Sequence, residues 1–291
     1  MTTMTEPTTQ TLPVDGATLT FDVRAAADSS QPPLMLIGSP MGAGGFGTLA
    51  SHFTDRTVVT YDPRGVERSI KDDPGTQSTP EQHADDIHRI IKAVGGPLDL
   101  FASSGGAINA LALVARYPGD VRTLVAHEPP LAAVVPDREG ALAVCQAVAR
   151  TYQERGFGAG MAHFITIVSH QGPMTAEFAA QPGPDPAMFG MPADDDGSRT
   201  DALLFQNLVP STAFEPDFDA IRAAPTRVVL AAGIESAGQL AHRGAEAAAA
   251  RLGTETVAFP SDHGGFLGGE YGQAGDPDAF AAKLREVLAE G

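Results

Sequence analysis

At 291 residues, 43% of them hydrophobic, the chain is long enough for one large domain or a core with an inserted subdomain, and disorder is excluded as its general state. Acidic side chains outnumber basic ones, 36 to 19, for a formal charge of −17, which argues against nucleic acid or an anionic membrane surface as a partner. A lone cysteine, Cys145, permits neither an internal disulfide nor a thiolate metal cluster, and no apolar run is long enough to span a bilayer.

In chain order, Met1 to Gln10 is polar and Thr-rich without the apolar core of a signal peptide, so a frayed start and a cytoplasmic protein are expected. Thr11 to Val14 and Ala17 to Val23 read as a hairpin around Asp15 and Gly16. Pro33 to Ile37 is a buried strand that ends in the Gly-rich run Gly38 to Gly45, and Phe46 to Phe53 resembles a turn or two of helix. Val58 to Tyr61 is a further strand, closed by Asp62, Pro63, Arg64 and Gly65. A polar loop reaches Pro80, and a helix follows over Glu81 to Val94 with Ile87, Ile90, Ile91 and Val94 on one face.

Leu98 to Ala102 then predicts a strand, and from Gly105 to Tyr117 Ala and Leu recur at helical spacing until Pro118 stops the run. Only Ser103 and Ser104 lie between, so strand turns directly into helix. Such a turn strains its central residue, exposes that side chain above the sheet, and requires small residues two positions away on either side. Ser104 has Ala102 and Gly106 there; Ser103 would have Phe101. Ser104 is therefore the candidate nucleophile, in a G-x-S-x-G elbow whose first Gly is replaced by Ala.

Val121 to Ala126 is the next strand. From about Pro130 to Glu215 the texture changes to helical segments, Leu142 to Tyr152 and Gly158 to Ser169, followed by a Pro/Gly/Asp-rich stretch, Gln181 to Gly197. Its acidic portion, Ala193 to Gly197, reads as a solvated loop. Strand signals resume at Arg227 to Ala232 and Thr254 to Phe259, with helices at Ala237 to Leu252 and Pro277 to Leu288. Alternating strands and helices imply a parallel sheet covered on both faces, with ligands outside the carboxyl ends of its strands. The elbow and the Gly38 loop both fall at that edge.

The strand followed by Gly38-Ser-Pro-Met-Gly, the Tyr61-Asp-Pro-Arg-Gly segment with Ser69, the elbow, and the closing Asp262-His263-Gly264-Gly265 together resemble the α/β-hydrolase superfamily. Glu67 departs from that pattern, which usually has Gly there. The resemblance implies an α/β-hydrolase fold: a mostly parallel sheet flanked by helices, with a helical lid inserted after the sixth core strand. Residues 1–129 and 216–291 would form the core and 130–215 the lid.

A serine hydroxyl needs a base within hydrogen-bond reach. His263, on a loop after the last strand with two glycines behind it, is at the right edge; His52, His83, His88 and His242 fall in predicted helices and read as surface or packing residues. The family places its acid after the Arg227 strand, but Ser236 stands at that position, leaving Glu235 one residue early. The end of the preceding strand offers Glu128, which could reach the imidazole from there. A Ser-Ser-Gly elbow followed by His127-Glu128-Pro129-Pro130 resembles the zearalenone-type lactonases, which carry their acid on that segment. Glu128 is the first choice and Glu235 the alternative. The N–H of Gly105 is expected to form one half of the oxyanion hole, and that of Ser39 or Met41 the other, since Pro40 has none. Pro40 and Ser103 beside the nucleophile, and His163 and Phe164 from the lid, are the expected substrate contacts.

The sequence thus predicts a serine hydrolase acting on a carboxylic ester or lactone of a small apolar molecule, without metal or organic cofactor. A cofactor-free haloperoxidase or C–C hydrolase would share these residues, and a non-catalytic small-ligand-binding protein could retain the pocket. Monomer and homodimer are both open.

Overall fold

The computed structural model describes residues 6–26 and 29–290, so the readings made on Met1 to Thr5 lie outside it. Nine strands form one sheet: β1 (Thr8–Val14), β2 (Ala17–Arg24), β3 (Leu34–Ile37), β4 (Val58–Asp62), β5 (Ile70–Lys71), β6 (Leu98–Ser103), β7 (Val121–His127), β8 (Arg227–Gly233) and β9 (Val257–Phe259). The helices are α1 (Gly47–Ser51), α2 (Pro80–Val94), α3 (Gly105–Arg116), α4 (Arg138–Val168), α5 (Ala176–Ala179), α6 (Leu208–Thr212), α7 (Phe218–Ala223), α8 (Leu240–Leu252) and α9 (Pro277–Ala289).

The strand order is β1-β2-β4-β3-β6-β7-β8-β9, with the short β5 added to β2. The expected hairpin is present, with Val14 opposite Ala17 across Gly16, whose φ of 70° suits only glycine well. β2 runs antiparallel to β4, and everything from β4 to β9 is parallel. Both faces of that parallel portion are covered, which explains why β3 is uniformly apolar and wholly buried. Strand alternation divides β6 between two cores. Leu98, Leu100 and Ala102 pack with the Ile87–Ile91 face of α2 and with α3; Phe101 packs with Phe46, Phe53 and Phe280 beneath α1 and α9.

Local chemistry sets the boundaries. Thr79 and Gln82 form a capping box at the start of α2, Pro80 takes its first position, and Gly95 closes it at φ 88°. α8 begins at Leu240 instead of Ala237 because Gly238 sits at φ 84°. β9 begins at Val257 instead of Thr254 because Thr254 N–H still serves the α8 carbonyl of Ala249. The sequence did not signal β5 or α7.

Between β7 and β8 the chain is helical. α4 breaks at Gly156 (φ 81°, ψ −174°), and its two arms fold against each other, so that a methyl group on Gly160 would meet Tyr152 Cβ at 2.8 Å. A separate apolar cluster, including Val144, Val148, Tyr152, Ile167, Leu204 and Leu208, holds this segment together. Arg243 ties it to α8 through Asp137 and the Gly172 carbonyl, and Asn207 ties it to α2 through His83 at 2.7 Å. In the acidic loop Asp195 pairs with Arg199 at 2.6 Å. No helix of the described residues is long and apolar enough to cross a membrane.

Candidate active site

Ser104 occupies the single residue between β6 and α3, at φ 57° and ψ −128°. A non-glycine residue there carries roughly 1–3 kcal/mol of strain and persists only where its surroundings enforce it. Here the Ser104 N–H donates to His127 O at 2.9 Å, and Ser104 O accepts from Ala107 N–H at 2.9 Å. The neighbours must be small. A Cβ on Gly106 would lie 2.8 Å from Gly38 Cα, and one on Gly105 would lie 2.5 Å from Ser39 O. Ala102, Ser103, Gly105 and Gly106 are buried while Ser104 keeps solvent access.

His263 presents Nδ1 to Glu128 Oε2 at 2.5 Å. A carboxylate that only accepts fixes the imidazole proton on Nδ1 and leaves Nε2 free to act as a base. Glu128 leaves β7 at φ 48° and is wholly buried. Its Oε1 accepts the Gly233 N–H at 2.8 Å and the Ser236 hydroxyl. Burial by itself would raise the Glu128 pKa; the facing His242 and His263 imidazoles and nearby His127 outweigh it and hold the carboxyl well below the usual range. Glu235, by contrast, is exposed, and no hydrogen bond or ion pair joins its carboxylate to His263. Ser236, standing where the resemblance puts the acid, instead donates its hydroxyl to Glu128 from the end of the neighbouring strand.

No hydrogen bond links the Ser104 hydroxyl to His263, a contact that often tightens only when substrate binds. Ser104, Glu128 and His263 reach the same edge from different strands: Ser104 follows β6, Glu128 follows β7, and His263 follows β9. His127, the last residue of β7, connects them. Its backbone carbonyl holds the elbow, its ring centroid lies 6.1 Å from that of His263, and its Nδ1 faces Ser103 Oγ at 3.4 Å.

Two of the residues expected to touch substrate are buried. Ser103 is buried beneath the elbow against His127, because alternation along β6 turns it to the side of Phe101 while the sharp turn lifts Ser104 out. His163 is buried within the helical segment between β7 and β8, where its Nδ1 meets Thr151 Oγ1 at 2.9 Å across the two arms of α4; Phe164 packs on the apolar cluster of that segment. Pro40 stays half-buried in the Gly38 loop.

Gly105 is the first residue of α3, so its N–H has no partner within the helix. Ser39 lays its carbonyl against Gly105 and buries a hydroxyl with no hydrogen-bond partner, while Met41 fills the space between Gly38 and Gly45. The loop is braced by Asp62, wholly buried, which accepts Ala43 N–H at 2.8 Å and Arg68 Nε–H at 2.6 Å. Glu67, in place of the usual Gly, adopts φ 47° and accepts Tyr271 OH at 3.0 Å.

Three residues of this site escaped the sequence reading. His127 is buried among Phe101, Phe259 and Phe280, and burial lowers its pKa to about 4, so it is neutral at physiological pH. His242, expected to be a packing residue, places Nδ1 3.7 Å from Glu128 Oε1. Ser236 was noticed only as a missing acid. Among the described residues no group of three or more His, Cys, Asp or Glu side chains is arranged to hold a metal ion.

No protein-family model matches the chain. It is 27% identical over 263 residues to the uncharacterized hydrolase YraK of Bacillus subtilis, covering 88% of this chain and 89% of that one. The carboxylesterase CesB of B. subtilis superposes with a TM-score of 0.67 at 14% identity, over 99% of this chain and 93% of its own. An enol-lactonase from Burkholderia xenovorans superposes at 0.65 with 16% identity, over 96% and 100%. With the mixed sheet described above, the likenesses to these solved structures show the α/β-hydrolase fold.

Proposed function

We propose that the protein is a serine hydrolase that cleaves a carboxylic ester or lactone through an acyl-enzyme. One observation carries this reading: the bond from His263 Nδ1 to the buried Glu128, at the sheet edge where a strained turn exposes Ser104. The carboxylesterase and enol-lactonase neighbours support the bond class, and the apolar lid cluster supports an apolar substrate.

In this mechanism His263 Nε2 takes the Ser104 proton as Oγ attacks the acyl carbon. The carbonyl π electrons move onto oxygen, and the Gly105 N–H stabilises that charge. Glu128 keeps its proton-free state and stabilises the imidazolium. The tetrahedral adduct collapses, His263 gives its proton to the departing alkoxide, and Ser104 is left acylated. Water then attacks, losing a proton to His263, and expulsion of Ser104 Oγ with return of that proton releases the carboxylic acid. For a lactone the alcohol remains joined to the acid.

Steady-state hydrolysis of p-nitrophenyl esters of increasing acyl length and of small lactones tests this. Wild type is expected to turn over several members, and Ser104→Ala to lose at least about 10³-fold. A folded wild type inert on the whole panel would contradict the reading.

A further inference from the structure

Glu128 has more partners than a triad acid needs. Oε2 takes His263; Oε1 takes the Gly233 N–H and the Ser236 hydroxyl, and His242 of α8 approaches that same oxygen. The His242 ring is fixed: Nδ1 donates to Gly233 O at 3.1 Å and stands 3.7 Å from Oε1, Nε2 lies 3.5 Å from Glu246, and only 15% of the side chain is exposed. Two imidazoles therefore flank one buried carboxylate, one on each oxygen.

We propose that His242 is a positioning residue of the triad: the two imidazoles share the Glu128 charge, so that a proton on His242 weakens the hold of Glu128 on a proton at His263. This rests on the reading of Ser104, His263 and Glu128 as the catalytic triad. Groups coupled this closely titrate as a unit. The ionisable groups facing His242 are Glu128 and the neutral His127 from β7, Glu246 from its own helix, and His263 through the shared acid. Asp137, at the start of α4, is paired with Arg243 of α8. Glu128 first, and then Glu246, raise the His242 pKa against the opposing effect of burial. His242 thus stays charged to higher pH than a free imidazole.

The direction follows. A positive His242 competes with an imidazolium at His263 for the one Glu128 charge. His242→Gln leaves the whole Glu128 charge to His263, so the acid limb of Ser104 labelling should move to higher pH. Gln can still donate to Gly233 O.

The test is an NMR titration of the His263 imidazole nitrogens in wild type, His242→Gln, His242→Arg and Glu246→Gln, with the pH dependence of fluorophosphonate labelling at Ser104 measured in parallel. His242→Gln should raise the His263 midpoint and move the acid limb of labelling with it. Glu246→Gln, a change at an exposed carboxylate, should give a smaller rise, and His242→Arg, which retains the charge, should give none. An unchanged His263 midpoint in both neutralising variants would overturn the proposal, as would an equal rise in His242→Gln and His242→Arg, which would assign the effect to packing. A Ser104 that never labels would remove the hydrolase reading, yet the NMR midpoints would still decide the sharing of Glu128.

Discussion

Glu128 and Glu235 are the two carboxylates the sequence offered as partners for His263, and the structure separates them by burial and by partners. The first is wholly buried and bonded to His263, Gly233 and Ser236; the second faces solvent. A buried carboxylate without such partners would be strongly unfavourable. Glu128→Gln should therefore lower kcat by about 10²–10⁴-fold, through loss of imidazolium stabilisation and of the correct tautomer, while Glu235→Gln should leave it near wild type. Ser236→Ala, which removes one of the donors to Oε1, should cost about tenfold in kcat with little change in KM. The strained turn at Ser104 and the position of His263 at the same sheet edge were legible because the elbow and the late His263 each carry a local pattern. The partnership of Glu128 with His263 was legible only by default, from the serine standing where the acid was expected. His242 could not be found, since a histidine inside a helical run gives no sign of which strand end it will face.

The elbow is an element whose geometry is set by its neighbours' lack of side chains. Gly106 passes so close to Gly38 that Gly106→Ala would press a methyl group against backbone that cannot yield cheaply. It should lower stability by roughly 1–3 kcal/mol and depress kcat by displacing Ser104. Thermal melts with the ester assay measure both, and an unperturbed melting temperature would contradict the close packing. At this scale the sequence was most informative where apolar runs fill both faces of a parallel strand, as in β3 and β6. It was least informative for β5, a two-residue strand with an exposed Ile70, and for the Ser103 side chain, whose direction depends on where the strand ends. Gly238 explains the late start of α8, a detail that helical spacing alone does not register.

Across the whole molecule, two fully buried histidines link stability to pH. Burial depresses His127 and His83 from 6.5 to about 4, an effect on His83 only partly offset by its bond to Asn207. In the unfolded chain both would take up protons as the pH falls below 6.5; in the folded protein they do not until about pH 4. The unfolded state therefore binds more protons through that window, and stability falls as the pH is lowered across it, by about 3 kcal/mol per histidine. Glu128, held low in the folded state, continues the loss once the pH drops below the ordinary carboxylate range. Urea unfolding at pH 7 and pH 5 should show the decline, and His83→Gln should make it shallower; equal slopes in the two proteins would refute it. The alternation of strands and helices made the sheet readable from end to end. The segment between β7 and β8 was readable only as helical, because its packing depends on close approaches at Gly140, Gly158 and Gly160 that no spacing rule anticipates.

The most direct test of the triad is intact-mass labelling with a fluorophosphonate probe on wild type, Ser104→Ala, Glu128→Gln and Glu235→Gln. Rapid addition of a single probe to wild type is predicted, absent in Ser104→Ala, slowed in Glu128→Gln and unchanged in Glu235→Gln. Wild type that remains folded and unlabelled, or slowing confined to Glu235→Gln, would contradict the assignment.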